Sequence, residues 1–281
     1  MSEWFQAGRR IESMPTGDRG MQYGDGLFET IAIRGGQARL WPLHVERLQS
    51  SAALLGLPAP AEAELEAALN GALAATSLAP ESLTAKLLLT AGTGTRGYRR
   101  AEPVESTLYV SLHPPRRLNR ELYANGVAVA ICETRLAIQP ALAGIKSLNR
   151  LEQVLAAREL AAGECFEGLM LDTENNVICG TMSNVFLVRD SQYLTPQLDR
   201  SGVAGIMRRH IVELLEDNGQ HCDEARLSGA ALASADEVFL SNSQFGVVPV
   251  ASIAGRKLHP GPATRRVQAL LANHGVPECA P

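Results

Sequence analysis

The apolar positions divide the chain into short β-runs and amphipathic helices, with one break ahead of its middle. Residues 3–13 read as a short strand before a turn at Pro15–Gly17, and Tyr23-Gly24-Asp25-Gly26 opens a β-run from Leu27 to Ile33. Arg34-Gly35-Gly36-Gln37 is a hairpin signal between that run and Ala38–Trp41. Pro42 suits the first turn of a helix with Leu43, Val45, Leu48, Ala52 and Leu55 at helical spacing, and a second helix spans 61–75. Two strands, Leu83–Thr90 and Thr107–Leu112, flank a Gly-rich loop. Prolines in His113-Pro114-Pro115-Arg116-Arg117 stop the second strand, and the polar run to Arg120 has no core pattern. The domain boundary is therefore expected at residues 114–122, giving a smaller α/β domain over 1–117 and a larger one over 118–281.

The second half begins with a strand at Val127–Cys132. A helix then places Leu148, Leu151, Val154 and Leu155 on one face. Strands follow at Gly168–Leu171, Val177–Ile178 and Asn184–Val188, the first two joined by a turn at Asp172–Asn176. A helix opening in Ser201-Gly202-Val203-Ala204-Gly205-Ile206-Met207 buries Val203, Met207, Ile211, Leu214 and Leu215. Late strands at Phe239–Leu240 and Val247–Ile253 and a final helix over 263–273 complete the pattern, which is a mixed α/β chain of two domains.

Composition narrows the function classes. The 281 residues are 46% apolar and 20% charged with a net charge of −4, as expected of a soluble globular protein. Short pairs such as Arg99–Arg100 do not form a basic stripe, so no nucleic-acid partner is expected. Apolar runs are too short to span a membrane, and the first residues lack a signal-peptide pattern. Five scattered cysteines without a CxxC suggest a reducing cytoplasm, and the histidines form no HxxxH or HExxH, so no metal is expected.

Gly92-Thr-Gly94-Thr-Arg-Gly97 matches GxGxxG and follows a strand. The nucleotide fingerprint also needs a helix to open within the motif, and Tyr98 to Pro103 shows no helical periodicity. A flexible loop whose arginine clamps a substrate carboxylate is the better reading.

Only three of the 26 basic residues are lysines: Lys86, Lys146 and Lys257. Lys146 lies between a Gly-containing turn and an amphipathic run. It reads equally as a residue at the start of a helix or as an amine for covalent work on a carbonyl. Gly202–Met207 reads as a plain helix cap or as an anion site, where backbone N–H groups and the helix dipole meet a phosphate. Ser241–Gln244 offers further donors, and Arg47 reads as a phosphate partner or a solvated helix residue. Together a reactive lysine and several phosphate donors suggest pyridoxal 5'-phosphate.

The chain resembles the fold-type IV pyridoxal-phosphate enzymes, and among them the aminodeoxychorismate lyases. The resemblance rests on residues 23–30, Arg96-Gly97-Tyr98, residues 142–155 (LAGIKSLNRLEQVL), residues 194–199, residues 202–208 and Val248-Pro249-Val250. It implies the D-amino-acid-aminotransferase-like fold, with the cofactor in a cleft between two domains and a homodimer whose loops complete each other's sites. It implies that Lys146 bonds the cofactor and then moves protons. Arg47, the backbone N–H groups of Ile206 and Met207, and Ser243 and Gln244 would bind its phosphate, with Arg96 and Tyr98 on a substrate loop. Thr30 matches a threonine of the lyases proposed to assist proton transfer, where related aminotransferases carry glycine or valine. The implied reaction converts 4-amino-4-deoxychorismate, a small-molecule substrate, to 4-aminobenzoate and pyruvate in folate synthesis, with a functional link to an aminodeoxychorismate synthase. An aminotransferase for D- or branched-chain amino acids is the alternative on the same fold.

One position departs from the family pattern. Where a glutamate usually pairs with the cofactor's ring nitrogen, ahead of an Asn-x-Phe, this chain has Cys179 ahead of Asn184-Val185-Phe186. A thiol holds a pyridinium proton poorly. That should hurt transamination more than the lyase reaction, in which forming an aromatic ring supplies driving force. A nearby carboxylate such as Glu174 is the other possibility.

Overall fold

The computed structural model describes residues 2–160 and 165–280. It divides into two units: Met1–Arg116 with Ile145–Asn149, and Arg117–Gly144 with Arg150–Pro281.

The first unit is built on a six-stranded sheet among the described residues. Its chain order is β1 (Glu3–Gln6), β2 (Arg9–Ile11), α1 (Arg19–Tyr23), β3 (Gly26–Arg34), β4 (Gln37–Ala38), α2 (Trp41–Leu54), α3 (Glu62–Ala75), β5 (Ser82–Thr90) and β6 (Thr107–His113). The spatial order is β2-β1-β6-β5-β3-β4, and the neighbouring pairs are antiparallel. Residues 3–13, expected as one strand, form a hairpin because Ala7 and Gly8 turn with positive φ.

Period-two alternation gives this sheet two different faces. Leu27, Ile31 and Ile33 of β3, Leu83, Ala85, Leu87 and Leu89 of β5, and Val110 and Leu112 of β6 are buried in apolar clusters. Val45, Leu48 and Ala52 of α2 and Leu65, Leu69 and Ala72 of α3 complete those clusters. The opposite face carries Phe28, Thr30, Lys86, Ser111 and His113, because Thr30 is the register partner of Lys86 and Lys86 of Ser111.

The second unit contains α4 (Arg120–Asn125), β7 (Val127–Ile131), α5 (Leu151–Glu159), β8 (Glu167–Leu171), β9 (Asn176–Gly180), β10 (Asn184–Arg189) and β11 (Gln192–Pro196). Then come α6 (Ile206–Asp217), β12 (Cys222–Ala225), β13 (Leu227–Ser228), α7 (Gly229–Ala233), β14 (Glu237–Asn242), β15 (Gly246–Ile253), β16 (Arg256–Lys257) and α8 (Pro262–Asn273). The main path of its ten-stranded sheet is β12-β11-β10-β14-β15-β7-β8-β9-β13, with β16 on β15. The pairs β15–β7, β7–β8 and β11–β12 are parallel. Phe186 and Phe239 stack at 4.7 Å where β10 meets β14, and α6 and α8 pack on β14.

The helix expected to include Leu148 starts only at Leu151. Residues 145–149 run extended along β3: Phe28 N–H donates to the Lys146 carbonyl at 3.0 Å and Leu148 N–H to the Gly26 carbonyl at 3.0 Å. These bonds group Lys146 with the first unit, not with the second, where the sequence pattern puts it. The exposed apolar residues of α5 are a further departure: Leu151, Val154 and Leu155 are 76%, 53% and 48% exposed, and Ala156 is buried instead.

Candidate functional site

In the first unit, position 146 is set by strand alternation. Ser147 bridges Leu27, so Ile145 and Ser147 point with Leu27 toward the helices, and both are buried. Lys146 therefore points the other way, and its Nζ lies 4.0 Å from the centre of the Phe28 ring. Asn149 anchors the segment's end by donating from Nδ2 to the Gly24 carbonyl at 3.1 Å. Gly24 has a φ of +65°, and a Cβ there would come within 2.5 Å of Asn149 Oδ1. Only glycine meets both conditions, and this is the physical content of the Tyr23–Gly26 motif.

Thr30 shares the Lys146 face, two residues along β3 from Phe28. So does Lys86, a residue to which the sequence pattern assigns no role. Its Nζ stands 4.8 Å from the same Phe28 ring, and burial pulls its ammonium pKa down. The available signal was a rare lysine in a strand whose other residues are apolar or carry only a hydroxyl.

Arg47 lies on α2 and forks onto Glu29, with Nε to Oε1 at 2.8 Å and Nη2 to Oε2 at 2.5 Å. His44 Nδ1 meets Glu29 Oε2 at 2.6 Å. Burial opposes charge on Glu29, but the Arg47 guanidinium and the His44 contact outweigh it and hold its carboxyl at about 2. Burial also pulls the His44 pKa below the ordinary range despite Glu29. Arg47 is thus the partly buried partner of a buried carboxylate, not a solvated helix residue.

Arg96 is exposed and Tyr98 is 89% exposed. Their loop, expected to be flexible, is tied at its backbone. Buried Arg19 donates to the carbonyls of Gly97 at 2.8 Å and Tyr98 at 3.0 Å, and Gly97 N–H donates to the Tyr23 hydroxyl at 3.0 Å. Asp25 binds both Arg19 and Arg100, which hold its carboxyl below the usual range against the effect of burial.

In the second unit, the N-terminus of α6 has no capping side chain, since Gly205 occupies the cap. The preceding loop is fixed by Asn184 Nδ2 donating to the Val203 carbonyl at 2.9 Å and by Ala204 N–H donating to Gly144 at 3.0 Å. A Cβ at Gly205 would lie 1.9 Å from Asn184 Oδ1. The backbone at Ile206 and Met207, both buried, therefore presents a narrow cradle of N–H groups that fits an anion. Ser241, the register partner of Asn184, has a buried hydroxyl without a hydrogen-bond partner among the described residues. Ser243 and Gln244 lie in the adjoining turn, where Gln244 N–H already donates to Asn242 Oδ1 at 2.9 Å.

Cys179 sits on β9 in a cluster with Cys132, Leu136, Ala156, Met170 and Ile178. Burial and the charge of Glu167 push its thiol up to about 12, against Arg150, so it stays neutral. Both nearby carboxylates are already engaged. Glu167 accepts from Thr181 N–H, Met182 N–H and Ser183 Oγ, and Glu174 forks onto Arg200 at 2.7 Å on an exposed turn.

Residues 26–253 match the family described as Amino-transferase class IV. An aminodeoxychorismate lyase of Vibrio harveyi is 39% identical over 92% of this chain and 95% of its own length. The crystal structure of 4-amino-4-deoxychorismate lyase from Pseudomonas aeruginosa superposes with a TM-score of 0.88 at 40% identity, covering 96% of this chain and 98% of that one. A D-alanine aminotransferase of Bacillus licheniformis is 30% identical over 94% and 92%. By its sequence and by its fold, the chain belongs to the class IV aminotransferase family.

Proposed function

We propose that the protein is a pyridoxal-phosphate-dependent lyase that splits 4-amino-4-deoxychorismate into 4-aminobenzoate and pyruvate. The observation that carries this reading is Lys146 on the Phe28 ring, sharing a sheet face with Thr30, in a chain 39–40% identical to two such lyases. The uncapped N–H groups at Gly205–Met207, where a Cβ on Gly205 would strike Asn184 Oδ1, suit the cofactor's phosphate. Ile206 and Met207 N–H groups, Arg47 and the Ser243–Gln244 turn would hold that phosphate, with Lys146 at the aldehyde end. When bound, the cofactor links to an amine and draws electrons from the carbon that bears it.

Lys146 takes the proton from C4, the ring carbon that carries the substrate's amino group. The bond from C3 to the ether oxygen then breaks, and its electron pair leaves with enolpyruvate as the ring becomes aromatic. Protonation of the enolpyruvate methylene gives pyruvate, with Thr30 or Lys146 moving that proton. No water is consumed, and the atoms of the substrate equal those of the two products. Arg96 and Tyr98, exposed within one chain, would reach substrate in a second copy.

A homodimer is supported by the exposed apolar residues Leu142, Leu151, Val154 and Leu155. A cytoplasmic setting is supported by five free cysteines. Among the described residues no helix is long and apolar enough to cross a membrane. A synthase that supplies aminodeoxychorismate would act immediately upstream.

The rival is a D-amino-acid aminotransferase, favoured by the 30% identity to the Bacillus licheniformis enzyme. The neutral, buried thiol of Cys179 argues against it, because it supports a protonated ring nitrogen poorly. Pyruvate release from aminodeoxychorismate, measured against keto-acid formation from D-alanine, decides between them. Wild type should release pyruvate, and Lys146→Ala should release none and lose the visible cofactor band. Keto-acid formation without pyruvate release from aminodeoxychorismate refutes the lyase reading.

A further inference from the structure

Arg19 is a buried arginine that the proposed reaction does not use. Its guanidinium makes four hydrogen bonds: Nε to Asp25 Oδ2 at 2.9 Å, Nη1 to the carbonyls of Thr95 at 3.4 Å and Gly97 at 2.8 Å, and Nη2 to the carbonyl of Tyr98 at 3.0 Å. Those three carbonyls bracket Arg96, whose own side chain is exposed. The Arg19 guanidinium also lies 4.8 Å from the centre of the Tyr23 ring, and that ring meets Tyr98 edge-on at 5.6 Å. The Tyr23 hydroxyl takes the Gly97 N–H at 3.0 Å. Ahead of these residues Arg19 N–H donates to the Gly92 carbonyl at 2.8 Å. Beyond them Arg100 donates to the Leu55 carbonyl at 2.6 Å and forks onto the same Asp25.

Residues 94–98 lie outside any helix or strand, so bonds from elsewhere must set their shape. A planar guanidinium with N–H groups in fixed directions can hold three carbonyls at once, whereas an ammonium is a point charge on a flexible stem. Asp25 supplies the counter-charge that a buried guanidinium needs. A loop fixed before substrate arrives spares the ordering cost that a mobile arginine meets when it binds a carboxylate.

We infer that Arg19 is the positioning residue for Arg96: its guanidinium holds the carbonyls of Thr95, Gly97 and Tyr98, so that the arginine between them is preset to take a substrate carboxylate. The loop is then a fixed prong and not a lid that closes on substrate. This deepens the lyase reading and rests on it for the role of Arg96. Arg19 acts only through the loop, so its loss weakens substrate binding and leaves proton transfer at Lys146 unchanged.

The test uses the holoenzyme and Arg19→Lys, which keeps a charge beside Asp25 and loses the fork. The variant should keep the wild-type cofactor spectrum. Trypsin digestion followed by mass spectrometry reads the loop directly: the Arg96–Gly97 bond should be cut at least about tenfold faster in Arg19→Lys than in wild type. With aminodeoxychorismate, Arg19→Lys should raise KM at least about tenfold while kcat changes by less than about threefold. In an Arg96→Met background the same substitution should change KM by less than about threefold, because the group it positions is gone. Unchanged cleavage or unchanged KM in Arg19→Lys, or a full tenfold effect in the Arg96→Met background, overturns the proposal. Should Arg19→Lys not fold, Tyr23→Phe, which removes the acceptor of the Gly97 N–H, goes through the same measurements, with changes of at least about threefold expected. If wild type forms keto acid from D-alanine and no pyruvate from aminodeoxychorismate, the lyase reading alone fails. The KM comparisons are then made with D-alanine, whose carboxylate is the group Arg96 takes. A wild type that turns over neither substrate overturns both.

Discussion

A carboxylate at position 29 interrupts an otherwise apolar sheet face, and it stays ionised there because Arg47 and His44 both reach it. A fall in the Glu29 pKa from the ordinary 4.5 to about 2 is worth roughly 3 kcal/mol, at about 1.4 kcal/mol for each tenfold change in proton affinity. The unfolded chain binds this proton first, so the contribution is complete above pH 4.5 and is lost as pH falls toward 2. His44 acts in the same direction from a higher pH, because its folded form resists the proton that the unfolded form accepts near 6.5. Urea midpoints measured from pH 7 down to pH 3 should therefore fall more steeply in wild type than in Glu29→Gln. At pH 7 that variant should be less stable by about 3 kcal/mol, since it leaves the Arg47 charge without its buried partner. Identical pH slopes in the two proteins refute the assignment. Lys146 was legible in the sequence through its rarity and its surrounding motif. Lys86, equally rare, was not, because its place over the Phe28 ring comes from the pairing of β5 with β3, which is distant in sequence.

At the scale of elements, periodicity located the long helices and most strands of both units. It failed where hydrogen bonding overrides it. Leu148, Leu151, Val154 and Leu155 have helical spacing, but Leu148 is pinned to the edge of β3 and the other three face solvent. The short elements α4, β12, β13 and α7 carry too few residues for a period to register. The cradle before α6 was visible as a run of small residues, but not the reason for Gly205, which is the side chain of Asn184. Gly205→Ala should push the α6 N-terminus away from Asn184 and raise the Kd for pyridoxal phosphate by at least about tenfold, with only a small change in thermal midpoint. Fluorescence titration of the apoprotein measures this, and an unchanged Kd removes the cradle from the phosphate site.

For the whole molecule, the exposed α5 face is the feature a single chain leaves unexplained. Monomeric proteins tolerate scattered apolar residues, but Leu151, Val154 and Leu155 fall on one short helix. Leu151→Asp with Val154→Asp should convert a dimer to monomer in sedimentation at micromolar concentration. It should also reduce pyruvate release if Arg96 and Tyr98 serve a second copy. A wild-type monomer, or a variant that remains dimeric, excludes α5 from the interface. The first unit runs to Arg116, just past the prolines at 114 and 115, and takes in the returning residues 145–149 as well. No linker signature marks it, because the chain enters and leaves that segment through ordered structure: Gly144 bonds to Gly202 and Ala204 on one side, and α5 begins at Leu151 on the other.

That return has a consequence for biosynthesis. The edge of β3 is translated by residue 34, but the backbone that pairs with residues 26–28 arrives only with residues 146–148. Until then the nascent chain carries an open strand edge, the kind of surface that recruits other unfinished chains. A fragment ending at Arg116 would keep that exposed edge permanently. It should aggregate on expression, whereas the same fragment made together with residues 117–281 has the missing partner within reach.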